Sequence, residues 1–218
     1  MGDDPGADKE PRSNFRKILA RLRGVREEVR LSLDISEAGG ILRRYFVMNA
    51  FDGAMTSLGV VFGAWATDIT DPRIVIGVIF CTSLAMAVSG VSGAYMTEKA
   101  EREHELNDLE NAMLTDLENT IHGKATRWVS LLAALVDGLA PFSASMVSIL
   151  PFLLVMVGLL SIWQAFSISI ALTLLTLFTL GIFLGRLSGR SLLFSGLKMV
   201  VAGVVVALLS LLLERFPG

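Results

Sequence analysis

The chain has 218 residues, of which 53% are hydrophobic and 18% are charged, and its formal net charge is −2. A soluble domain typically carries about 25% charged residues, whereas the mean hydropathy of this chain is +0.61. The composition therefore excludes an ordinary soluble domain and predicts an integral membrane protein. The single cysteine, Cys81, excludes a disulfide or a cysteine-based metal site within one chain.

Five apolar stretches are long enough to cross a bilayer, because a membrane helix needs about 20 mostly apolar residues. The third stretch contains Pro141 and Pro151, which predict a kink or a break, since proline cannot donate a helix hydrogen bond. The predicted fold is an all-α integral membrane protein with five transmembrane helices and additional cytoplasmic amphipathic helices. The predicted spans are Tyr45–Ala66, Ile74–Met96, Trp128–Met156, Ala165–Leu184 and Leu192–Leu213.

The basic residues predict the orientation of the five spans. All but two of the 19 Lys and Arg residues fall on one side of this arrangement, the exceptions being Arg73 and Arg215. The positive-inside rule assigns that side to the cytoplasm. We therefore expect a cytoplasmic N-terminus in a multi-pass protein of the plasma membrane.

The N-terminal region divides into a tail and a basic helix. Residues 1–12 are predicted to be a disordered tail, and residues 13–44 a cytoplasmic amphipathic helix with basic residues opposite its apolar stripe. Residues 13–33 suit binding to the anionic leaflet of the membrane, and packing on the protein's own cytoplasmic segment is the alternative. Nucleic-acid binding is not expected, because this helix adjoins a span. The apolar stripe comprises Phe15, Ile18, Leu19, Leu22, Val25, Val29 and Leu33.

The segment 97–124 is predicted to be a cytoplasmic, acidic helical part of a transmembrane domain that covers 45–213. Four of its acids recur at spacings that place them on one helix face, and a histidine lies beside them. Carboxylates and imidazole bind divalent metal ions, so this face is a candidate metal collector. An ordinary solvated face is the alternative. The residues concerned are Glu98, Glu101, His104, Glu105 and Asp108.

Two aspartates, Asp52 and Asp137, lie well inside predicted spans, and a glycine follows each. An ionised carboxylate at the centre of a span costs on the order of 3 kcal/mol, so such residues usually face a cavity or a partner on an ion or proton path. Both spans run in the same direction from a basic boundary, which predicts a similar depth for the two carboxylates. A purely structural role in helix pairing is the alternative.

Neighbouring side chains supply further candidate ligands. Hydroxyl oxygens follow Asp52 at Thr56 and Ser57, and paired acids with oxygen donors can bind a partly dehydrated cation. Met55 and Met86 are predicted at a similar depth, where a thioether can bind a borderline metal, although methionine more often fills gaps in a core. The predicted transport and proton-coupling residues are Asp52, Asp137, Thr56 and Ser57.

Three segments, in order along the chain, resemble the vacuolar iron transporter family: DGAMTSLGVVFGA at 52–64, SGVSGAYMTEKAERE at 89–103 and GRLSGRSLLFSGLKMVVAG at 185–203. The resemblance covers about 42–213. It implies a homodimeric antiporter that moves Fe²⁺ or Mn²⁺ out of the cytoplasm in exchange for protons, along a path between the first spans of the two subunits.

The same resemblance implies roles for individual residues. It makes Asp52 the pathway carboxylate and places Glu98, Glu101 and Glu105 among the cytoplasmic metal-collecting glutamates. It implies no permanently bound cofactor, because the metal ion is the cargo. The chain departs from the family pattern at Gly90, near a ligand methionine of plant members, at Ala94, where many relatives have glutamate, and in its short cytoplasmic segment.

The sequence thus favours a divalent-metal transporter over an enzyme, because it has neither a Ser/His/acid set nor a phosphate-binding loop. Two alternatives stay open. The first is a membrane scaffold or assembly protein without transport activity, in which the aspartates pair helices. The second is a proton-coupled carrier of another, organic cation that uses the same acids.

Overall fold

The computed structural model describes residues 38–115 and 120–214. Within these ranges all five helices are long and apolar enough to cross a membrane, which confirms the predicted five-span, all-α fold. The predicted tail and most of the predicted N-terminal helix lie outside the described residues, and the cytoplasmic N-terminus stays a prediction. The helices are α1 (Ala38–Ala66), α2 (Pro72–Met113), α3 (Ile121–Met156), α4 (Ile162–Leu187) and α5 (Leu192–Glu214).

The helices begin and end at residues that differ from the bounds of the predicted spans, and the local sequence explains the difference. Helix α2 continues to Met113, well beyond the apolar part of the second span, and so includes most of the helical segment predicted from residue 97 onward. Helix α4 begins at Ile162 because Ser161 caps it: Ser161 Oγ accepts from the Gln164 amide at 3.3 Å, and Gln164 Oε1 accepts from the Ser161 amide at 3.0 Å. This capping box satisfies two backbone donors that the helix start would otherwise leave unpaired.

The described residues fall into two compact units. One contains 38–40 and the described part of 98–131, including the end of α2. The other contains 41–97 and 132–214, and it holds the apolar core of the transmembrane helices. In that core Phe152 and Phe166 are fully buried and meet edge to face, with ring centroids 5.2 Å apart.

Helices α1 and α3 pack in the same direction along one face of each. Residues four apart lie on the same side of a helix, and α1 presents three such residues to α3. The residue numbers of the contact partners increase along both helices, so the two spans are parallel and in fixed register. The paired residues are Asn49 with Asp137, Gly53 with Pro141, and Ser57 with Ser148.

Helix α3 runs through both prolines without a break. Membrane helices tolerate proline where neighbouring hydroxyl groups satisfy the affected backbone. Here Ser145 Oγ lies within hydrogen-bond distance of two carbonyl oxygens, that of Pro141 at 2.9 Å and that of Gly53 at 3.0 Å. Ser145 therefore ties the turn of α3 that follows Pro141 to α1, whereas the carbonyl that loses its amide donor is that of Asp137.

Buried hydroxyl groups join α1, α3 and α4. Ser57 Oγ lies 2.9 Å from Ser148 Oγ, which lies 2.7 Å from Thr173 Oγ1. Ser169 Oγ donates to the Ser148 carbonyl at 2.8 Å, and Thr173 Oγ1 donates to the Ser169 carbonyl at 2.8 Å. Side-chain hydrogen bonds between membrane helices contribute about 0.6 kcal/mol each on average. The network therefore fixes the rotation of the three helices more than it raises stability.

Candidate functional site

A cleft of about 600 Å³ opens between α1, α2 and α3 within the transmembrane unit. Glycine and alanine residues of α2 form much of its wall, and these small side chains leave the space open. The cleft contains one carboxylate together with amide, hydroxyl and thioether groups. Its polar or ligand-bearing residues are Tyr45, Asn49, Met86, Ser89, Thr97 and Asp137.

The carboxylate of Asp137 is half-buried and held by a neighbouring side chain. Asn49 Nδ2 donates to Asp137 Oδ1 at 2.5 Å and to the carbonyl of Tyr45, one turn earlier in α1, at 2.9 Å. The amide therefore fixes one carboxylate oxygen and leaves Asp137 Oδ2 for another partner. Because only a hydrogen-bonding group makes a half-buried carboxylate tolerable inside a span, Asn49 is part of the site.

Helix α2 approaches Asp137 at a glycine. A methyl group placed on Gly90 would lie 2.9 Å from Asp137 Oδ2 and 3.0 Å from the Gly138 Cα. A methyl group placed on Gly138 would lie 2.5 Å from the carbonyl oxygen of Ala87. Both glycines are therefore needed for the close contact of α2 with α3, and Gly90 keeps the outer carboxylate oxygen uncovered.

Pro141 makes a second oxygen available beside the carboxylate, namely the backbone carbonyl of Asp137. In a helix the carbonyl of Asp137 would accept from the amide of residue 141, but proline has no N–H to donate. Because that donor is missing, the backbone carbonyl of Asp137 is available to another partner. It lies one helical turn before Pro141, which also lines the cleft. A backbone carbonyl without its amide donor and a carboxylate of the same residue are both oxygen ligands that suit a cation.

The structure separates the two intramembrane aspartates by their surroundings. Asp52 is exposed and does not line the cleft, whereas Asp137 does. Asn49 and Gly53 are four residues apart and both contact α3. Asp52 lies between them in sequence, so its side chain projects from an adjacent face of α1.

The other predicted path and ligand residues within the spans lie in four different environments. Ser57 is buried in the hydroxyl network, and Thr56 is partly buried on α1. Met55 packs against the apolar core around Leu58 and Leu177. Met86 lines the cleft with Asp137. Of these four residues, only Met86 is thus brought to the candidate site.

The acidic face of α2 is spread along the helix surface. Glu98 is buried and pairs with Arg102 at 3.3 Å, and exposed His104 and Asp108 approach to 3.8 Å. Glu101 and Glu105 are exposed. Over the described ranges, no three His, Cys, Asp or Glu side chains are grouped closely enough to hold a metal ion.

Sequence reasoning missed four polar residues of the cleft: Tyr45, Asn49, Ser89 and Thr97. Asn49 carried the clearest signal, because a side-chain amide within a span is costly to bury and usually faces a partner or a cavity. The other three are common in ordinary membrane helices. Only the packing of α1 and α2 on α3 distinguishes them.

Comparison with known proteins now identifies the family. The sequence profile of the VIT family matches residues 107–215. An uncharacterized protein of Methanocaldococcus jannaschii is 31% identical over 176 residues, which cover 79% of this chain and 88% of the relative. The chain belongs to the VIT family. Membership indicates a membrane transporter of metal ions.

The region that matches the VIT profile contains the α3 residues of the candidate site. Asp137, Gly138 and Pro141 lie inside it, as does the resembling segment at 185–203. The α1 and α2 residues of the cleft, including Asn49 and Gly90, precede it. The cleft of this VIT family member is therefore assembled from the profile-matched part of the chain and from helices before it.

Proposed function

We propose that this VIT family protein transports divalent transition-metal ions, Fe²⁺ and Mn²⁺, out of the cytoplasm across the plasma membrane. The observation that carries the proposal is the carboxylate of Asp137, positioned by Asn49 on the wall of an open cleft within the membrane-spanning helices. A carboxylate in that environment marks an ion or proton path in membrane proteins.

The chemistry of the cleft suits a borderline divalent cation. Oxygen donors from Asp137, Ser89 and Thr97 favour hard cations, and the thioether of Met86 adds affinity for borderline metals. One carboxylate makes a weaker site than the multi-acid cages that retain metal permanently. Weak binding is useful here, because a transported ion must leave as readily as it enters.

The same carboxylate can couple metal movement to protons. When Asp137 is ionised it attracts a cation, and when it binds a proton that attraction is lost. A site that is opened in turn to each side would then exchange a metal ion for protons. The hydrogen bond from Asn49 holds the carboxylate in place during the exchange.

Exposed Asp52 supports a homodimer. An exposed carboxylate in a span needs a polar environment, since contact with lipid costs on the order of 3 kcal/mol near the centre of the bilayer. A second copy of the chain that covers this face of α1 provides such an environment, with an Asp52 carboxylate contributed from each side. In this proposal the ion passes between the Asp52 residues of the dimer and the Asp137 clefts.

The experiment is flux into proteoliposomes that contain the full chain and an internal metal-sensitive dye. We expect Mn²⁺ and Fe²⁺ to accumulate in vesicles with an acidic interior, the interior to become more alkaline, and a protonophore to abolish the accumulation. No flux above that of empty vesicles from folded protein contradicts metal transport. Metal flux that persists after collapse of the proton gradient contradicts the antiport part of the proposal but not metal transport. Full competition by an organic cation favours a different cargo.

Gly90→Ala tests the cleft as the metal site. The added methyl group lies 2.9 Å from Asp137 Oδ2, so we expect Mn²⁺ flux to fall by about tenfold or more, as with other shifts of groups next to a metal ligand. Gly93→Ala is the matched control, because it lines the same cleft and its methyl group meets no atom within 4 Å. Equal flux in the two variants contradicts the assignment.

A further inference from the structure

A second cleft, of about 950 Å³, lies between α1, α4 and α5 and is separate in its lining from the Asp137 cleft. Four basic side chains gather at one end of it, where α1 begins and where α4 turns into α5. The remainder of the wall is apolar. The basic residues are Arg43, Arg44, Arg190 and Lys198, and the apolar ones include Val47, Met48, Phe51, Leu184, Phe194 and Met199.

The charge of this cleft is unbalanced. Among the described residues that line it, none is acidic. In the described part of the chain the ion pairs involve Lys99, Arg102 and His104, and none involves the four basic residues of the cleft. Four positive charges that share one cavity repel each other, so an anionic group at this position is strongly favoured.

Lys198 shows how the cleft is polarised. It lies within α5, seven residues after Ser191, yet its Nζ lies 4.6 Å from the centroid of the Phe194 ring, one turn closer to the start of the helix. The side chain therefore extends toward the end where Arg190 lies, as lysine does when it reaches for the membrane surface. The charges collect at one end, and the apolar wall continues into the span.

We propose that this cleft binds an anionic phospholipid, with the phosphate-bearing headgroup on the four basic side chains and an acyl chain along the apolar wall. A free phosphate ion matches the charges but leaves the apolar wall uncovered, and Met48 and Leu184 on that wall are 54% and 41% exposed. A phospholipid satisfies both parts of the cleft, and clusters of basic residues at the end of a span bind anionic lipids.

The first test is native mass spectrometry of the full detergent-purified chain with added phosphatidylglycerol or phosphatidylcholine. We expect preferential retention of phosphatidylglycerol. Since each basic residue near an anionic lipid surface contributes about fivefold to binding, the double variant Arg190→Gln/Lys198→Gln should lose about 25-fold. The matched control, Arg73→Gln/Arg127→Gln, removes the same charge from residues that neither line the cleft nor adjoin its lining in sequence, and it should bind as wild type does.

Three results overturn the proposal: equal retention of the two lipids, equal loss in both double variants, or equal stabilisation of the thermal unfolding midpoint by inorganic phosphate and by phosphatidylglycerol. A photo-crosslinking amino acid at Leu184 identifies the occupant directly in lipid vesicles. Attachment to phosphatidylglycerol supports the proposal. Attachment to a second copy of the chain, or to another segment of the same chain, contradicts it.

Discussion

Replacing Asp137 with asparagine is expected to lower Mn²⁺ flux by more than about 100-fold while the protein still folds. Outer partners of metal ligands typically contribute 10–100-fold to affinity, and Asp137 is proposed as a ligand itself. The variant has nearly the same shape and removes a charge that is costly inside a span. We therefore expect an unchanged or higher thermal unfolding midpoint together with the loss of flux, measured on the same proteoliposome preparation.

Two further substitutions interpret that result. Asp68→Asn is the matched control, since this exposed aspartate lies in the α1–α2 turn with a φ of 54°, a conformation that asparagine adopts readily. Asp52→Asn tests the proposed path between subunits, and we expect it to lose flux as Asp137→Asn does. Wild-type flux in Asp137→Asn contradicts a role for the cleft, and a loss in Asp68→Asn shows that the assay reports a general defect.

The fold was largely predictable from hydropathy. Apolar runs long enough to cross the bilayer identify all five helices, because a lipid environment permits few structures other than helices within it. The continuation of α2 beyond Met96 agrees with the helical segment that the sequence predicts from residue 97 onward. The predicted break at the prolines of the third span does not occur: α3 is continuous, because one proline removes only one backbone hydrogen bond and α1 packs directly against Pro141 at Gly53. The predicted kink stays a prediction.

The site was less predictable, because the sequence gives the depth of a residue in a span more readily than the direction of its side chain. Asp52 and Asp137 looked equivalent, each inside a span and each before a glycine. Their surroundings differ because Gly53 contacts Pro141 on α3, whereas Gly138 contacts α2 near Ala87. Each glycine faces a different neighbouring helix, so the aspartate before it lies in a different place: Asp52 is exposed, whereas Asp137 lines the cleft.

Glycine spacing shows the same limit. Small residues four apart are typical of close contacts between membrane helices, and Gly181 and Gly185 do pack against Ser195 and Gly196 of α5, with an added methyl group 2.6 to 2.8 Å from atoms of α5. Gly63 matched the same spacing, but a methyl group added there would have no atom within 4 Å. Spacing identifies candidate contacts, and only the partner helix decides which of them form.

Gly53→Ala is therefore the variant in which packing and function are expected to fail together. The added methyl group lies 2.6 Å from the Pro141 Cα and closer still to the Pro141 carbonyl oxygen. These are backbone atoms of a helix, so the clash is relieved only if α1 and α3 move apart. Overpacking of this kind typically costs about 1–3 kcal/mol of unfolding free energy, which we expect as a lower thermal unfolding midpoint in detergent.

The same displacement reaches the cleft, because Asn49 and Asp137 each lie one turn from the clashing pair and meet through a 2.5 Å hydrogen bond. We expect Mn²⁺ flux per folded protein to fall by about tenfold or more, as when a partner of a metal ligand is displaced. Gly63→Ala in the same helix should keep both the melting temperature and the flux. If Gly53→Ala behaves as Gly63→Ala does, then the α1–α3 contact does not hold Asp137 in position, and the carboxylate must be oriented by α2 alone.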